Sequence, residues 1–109
     1  MVVQAFKDDL STARQRLIDE MQRINFGKLT GLCIHKGEPH FDPPPLRVYE
    51  LKFGGDNGPR PELSKTDYAL KDQVHELFAM LEDIGDGVVS AIEIKHGLPF
   101  RMIVEEVAV

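Results

Sequence analysis

The segment "INFGKLTGLCIHKGEP" at residues 24–39 returns as "IGDGVVSAIEIKHGLP" at residues 84–99. The correspondence is wider than this pair: residues 10–39 align with 70–99 at a constant offset of 60, without a gap. Seven of the thirty pairs are identical: Leu10/Leu70, Leu17/Leu77, Ile24/Ile84, Gly27/Gly87, Ile34/Ile94, Gly37/Gly97 and Pro39/Pro99. Others exchange like for like, including Met21/Leu81, Leu29/Val89, Thr30/Ser90 and Leu32/Ile92. Shared helix-and-turn grammar accounts for some of this. Because special backbone positions match as well as apolar ones, duplication of a unit is the preferred reading.

Each unit opens with an amphipathic helix. Leu10, Leu17, Met21 and Ile24 fall on one stripe, as do Leu70, Val74, Leu77, Leu81 and Ile84, with Phe78 widening the second face. "SKTD" at 64–67 reads as a capping-box-like start, and Asp8, Asp9 or Ser11 can start or support the first helix. Asn25 and Gly85 stand just past the last core residue, and both residue types tolerate the left-handed conformation that closes a helix.

A strand follows in each unit. Thr30, Leu32 and Ile34 alternate with Gly31, Cys33 and His35; Ser90, Ile92 and Ile94 alternate with Ala91, Glu93 and Lys95. The period of two points the first member of each set toward the helices and the second away. Gly37 and Gly97 supply positive φ for a hairpin turn, and Pro39 and Pro99 begin the returning strands. "DPPP" at 42–45 interrupts the first return, which resumes as "LRVYELKF"; "FRMIVEEVAV" runs from 100 to the last residue.

The predicted fold is α+β: two αββ units (α-β-β-α-β-β) forming a four-stranded, mainly antiparallel sheet with two helices on one face. The units span about 8–53 and 64–109 of a single domain, 1–109, and a Gly/Pro-rich loop at 54–63 joins them. At 109 residues the chain is long enough to hold a core without staples. "INFGKLTGLCIHKGE" resembles the helix-then-hairpin signature of the small bacterial YezD-like domain, about forty residues per unit, with Phe26 in place of Tyr and Lys36 in place of Asp. The resemblance implies the fold of one unit and no activity.

Charge and cysteine content narrow the function. The net charge is −5, with nine Lys/Arg against eight Asp/Glu in residues 1–60 and four against ten in 61–109. No basic cluster stands out, which disfavours nucleic acid and anionic membranes as partners. The single cysteine, Cys33, rules out an internal disulfide, and no apolar run is long enough to span a membrane. A reducing cytoplasm is the expected compartment.

Cys33, His35 and His40 could reach one metal ion across the hairpin. The second unit carries Glu93, Lys95 and Phe100 at the aligned places, so ordinary outward-facing residues are the preferred reading, and no cofactor is expected. No nucleophile elbow, phosphate loop or dinucleotide fingerprint is present, and no catalytic residue is assigned. The strongest functional signal is apolar residues of both parities on the outer strands, more than one covered face can absorb. A small cytosolic interaction module, homodimeric through Leu46, Val48, Ile103, Val107 and Val109, is the first reading. The alternatives are a nucleic-acid module whose open sheet face presents Lys28, Arg47, Lys52 and Lys95 with Tyr49 or Phe53, and a metal-binding protein or small enzyme on Cys33, His35 and His40.

Overall fold

In this computed structural model the described residues are 6–55, 57–59, 71–106 and 108. The expected capping box at 64–67, the core position Leu70, part of the connecting loop, and the expected contact residues Val107 and Val109 lie outside them. A short 3-10 turn (Lys7–Asp9) leads into helix α1 (Thr12–Ile24). Strands β1 (Gly27–His35), β2 (Glu38–His40) and β3 (Leu46–Tyr49) follow, then helix α2 (Asp72–Ile84) and strands β4 (Gly87–Lys95) and β5 (Leu98–Val104). Both helices have thirteen residues and both long strands nine, and each pair begins 60 positions apart.

Ser11 is the N-cap of α1, its hydroxyl accepting from the Arg14 amide at 3.2 Å, and Asp8 and Asp9 belong to the preceding turn. Both helices end at a residue of positive φ, as expected: Asn25 at 62° and Gly85 at 70°. Their ψ values, −58° and −78°, differ from the left-handed helical conformation expected there. Each instead centres a three-residue γ-turn, in which the Phe26 amide donates to Ile24 O at 2.7 Å and the Asp86 amide to Ile84 O at 2.8 Å. The chain thus reverses within one residue and enters the sheet two residues later.

The sheet is antiparallel and has five strands, in the order β2-β1-β4-β5, with β3 also paired to β1. The expected four strands become five because the first return path is cut. Prolines 43–45 cannot donate to a ladder, so β2 pairs with the far end of β1 (Cys33 opposite His40) and β3 with its near end (Thr30 opposite Leu46). At both hairpin tips the two central residues have positive φ, Lys36 and Gly37 in one, His96 and Gly97 in the other.

One buried cluster joins both helices to one sheet face. Leu17, Ile18, Met21 and Ile24 of α1 and Val74, Leu77, Phe78 and Leu81 of α2 meet Leu29, Leu32, Ile34, Val89, Ile92 and Ile94. The expected inward set began with Thr30 and Ser90. Both are only half-buried, and Leu29 and Val89 take their places in the core. Strict alternation fails at Gly31, whose φ is +72°, and at the register shift between Val89 and Ala91. One residue out of phase returns the next apolar side chain to the same face.

Candidate functional site

Opposed residues of an antiparallel pair share a face, so the register maps the sheet surface away from the helices. Leu46, Thr30, Ala91 and Ile103 form one continuous row across β3, β1, β4 and β5. Beside it run Val48, Lys28, Glu93 and Arg101. On the other flank are His40, Cys33 and Val88. The small residues Thr30 and Ala91 lie mid-sheet, with Leu46 and Ile103 rising at either side, 66% and 44% exposed. Val88 is 53% exposed. Three of the five expected contact residues, Leu46, Val48 and Ile103, therefore come together on this face.

The charged row alternates in sign. Arg101 pairs with the Glu93 carboxylate, and this pairing, the largest influence, holds Glu93 below the ordinary range; Lys28 is directly opposite Glu93.

The basic residues considered for nucleic acid do not converge. Arg47 points to the helix side and grips both carboxylate oxygens of buried Glu20, with Nη2 to Oε1 at 2.9 Å. That pairing depresses Glu20 and ties β3 to α1. The Lys52 ammonium lies 5.5 Å from the Phe26 ring centroid, and Lys95 stands 4.1 Å over Phe100.

The thiol and imidazoles sit close without forming a ligand set. Cys33 faces His40, whose ring meets that of His35 edge-on at 5.7 Å. His35 directs Nδ1 to Asp86 at 2.9 Å, and the Lys36 amide donates to the same carboxylate at 3.0 Å. Among the described residues no three His, Cys, Asp or Glu side chains are grouped so as to hold a metal ion.

Two features have little signature in the sequence. Arg14, on α1 of the first unit, donates to Glu38 and to Glu82 of α2, each at 3.0 Å, while its guanidinium lies 5.2 Å from the Phe78 centroid. One cation therefore joins the two halves, at a position where the second unit has Val74. The other is a groove of about 140 Å³ between α2 and β5, floored by Leu77 and Met102 and edged by Met80, Pro99 and Phe100. The paired spacing of Leu77 with Met80 and Phe100 with Met102 was the available hint.

No family model, curated protein or solved structure matches this chain. No helix among the described residues is long and apolar enough to cross a membrane.

Proposed function

We propose that this protein is a small interaction module that acts as a homodimer through the open face of its sheet, and that it arose by duplication of one αββ unit. The observation that carries the dimer is the in-register row Leu46–Thr30–Ala91–Ile103, apolar at both raised ends and set opposite the helix-covered face. Apolar area left in water, here on Leu46 and Ile103, costs free energy at about 25 cal/mol per Å², which a covering surface recovers. A second copy suits the neighbouring charges. Lys28, Glu93 and Arg101 alternate in sign, so a copy turned through a two-fold axis can set opposite charges against each other. The same alternation breaks up the positive field that a phosphate backbone requires, which disfavours the nucleic-acid reading.

Duplication is supported by the central register. Every β1–β4 pair satisfies one relation: Gly27 faces Ile94 and Gly87 faces Ile34, while Leu29 faces Ile92 and Val89 faces Leu32. For every pair but Thr30–Ala91, advancing one partner by 60 and setting the other back by 60 returns another observed pair, as two like units about a two-fold axis would give. The likeness to YezD-like helix–hairpin domains fits a unit of this size.

Light scattering on the intact chain tests the dimer. We expect twice the mass of one chain in the wild type and the mass of one chain in Ile103→Lys, with unchanged circular dichroism. A single-chain mass for the wild type at every accessible concentration removes the proposal.

A further inference from the structure

We infer that the chain carries a second self-contact, in which the Phe53 ring of one copy seats in the α2–β5 groove of another. Phe53 is fully exposed, at 108% of its reference area. It does not hang on a loose loop. The Lys52 amide donates to Asn57 Oδ1 at 2.9 Å, Asn57 Nδ2 donates to Lys52 O at 3.0 Å, and the Gly55 amide donates to Lys52 O at 3.3 Å. These bonds tie Lys52 to Gly55 and Asn57 beside Phe53 and hold an aromatic side chain outward, which lowers the ordering cost of using it as a contact. Aromatic side chains are enriched at protein–protein interfaces relative to the rest of the surface.

The groove matches it. Leu77, Met80 and Met102 supply apolar, adaptable walls, and Met80 is 42% exposed. The first unit shows what such a space takes. There, Phe41 packs against the core beside α1, with the Arg16 guanidinium 4.3 Å from its ring centroid. In the second unit Arg16 is replaced by Glu76, on the rim of the open groove. Lys52 stands next to Phe53 in the chain and Glu76 lies on the groove, so a seated ring can bring these two opposite charges together. The contact uses neither Leu46 nor Ile103, so it stands or falls separately from the open-face dimer.

Methyl NMR of the full-length chain carrying Ile103→Lys, with its methionine methyls labelled, tests it. We expect the Met80 and Met102 methyl resonances to shift as concentration rises from micromolar to millimolar, and the shift to be lost when Phe53→Ala is added. Mixing labelled Phe53→Ala chain with unlabelled Met80→Lys chain should restore it, because one supplies the groove and the other the ring. Stationary methyls in the parent, a shift that survives Phe53→Ala, or a mixture that restores nothing each overturns the inference.

Discussion

The amide of Gly37 donates to the carbonyl of Gly85 at 2.8 Å, so the hairpin tip of the first unit caps the helix end of the second. The reciprocal bond exists: the Gly97 amide donates to the Asn25 carbonyl at 3.0 Å. A helix end leaves carbonyls without intrahelical donors, and here each unit meets that need for the other. Neither half therefore satisfies its own backbone, and the γ-turns at Asn25 and Gly85 are what aim the two carbonyls.

A substitution at Gly85 isolates the turn. A Cβ there would meet open space, so the cost of Gly85→Ala is one of backbone conformation alone, at φ +70°. We expect a loss of about 1–2 kcal/mol in urea unfolding. Gly85→Asn should lose less, since Asn25 holds the equivalent position. Equal losses for Ala and Asn would show that the turn does not set the cost.

Gly27 and Gly87 are identical in sequence alignment and unlike in surroundings. A Cβ on Gly27 would lie 2.0 Å from the Val48 carbonyl oxygen, because β3 presses against β1 there. At Gly87 the nearest heavy atom is 3.4 Å away, on the Ile84 side chain. We expect Gly27→Ala to cost about 2–4 kcal/mol and to displace β3, and Gly87→Ala to cost under about 1 kcal/mol. Comparable denaturation midpoints for the two variants would contradict the pairing of β3 with β1.

This pair also shows how far the sequence could be read. Helices, hairpins and stop positions were legible because Leu, Ile, Gly and Pro recur at spacings that few structures satisfy. The alternation places Leu32 and Ile34 on the inward face of β1, where they lie, and misses only the step before Gly31, where Leu29 rather than Thr30 enters the core, since nothing in "LTGLCI" marks Gly31 as the point where alternation breaks. The splitting of the return strand needed the prolines to be weighed as missing donors rather than as a corner. Leu46, Val48 and Ile103 emerged as a surface because both parities of the outer strands are apolar. The sequence presents Arg47 as an open-face cation, because nothing in it reveals that Glu20 on α1 is within reach.

The Glu20–Arg47 pair sets a pH dependence. Arg47 holds the Glu20 carboxyl below its ordinary value, so the folded state binds that proton less readily than the unfolded chain. Its contribution to stability is full above the ordinary carboxylate range and is lost as pH falls through the depressed folded value. Asp86 acts in the same direction, held down by the Lys36 amide first and by His35. We expect the urea midpoint to drop below about pH 4, and to drop less steeply in Glu20→Gln. Parallel curves for the two proteins would show that the pair is not coupled to folding.

Cys33 reports on whether the open face is covered. Its neighbour across the central strand pair is Val88, and its thiol is half-buried on the same surface as Ile103. A second copy over this face excludes an alkylating reagent, and dissociation readmits it, so the rate should follow the fraction of free chain. We expect alkylation of the native protein by iodoacetamide to slow several-fold from micromolar to millimolar chain. In Ile103→Lys the rate should be constant and equal to the dilute wild-type rate, because the added charge removes the partner without touching the thiol. A wild-type rate equal to that of Ile103→Lys at every concentration would mean that Cys33 looks onto solvent at all times, and the sheet face would lose its claim to a partner.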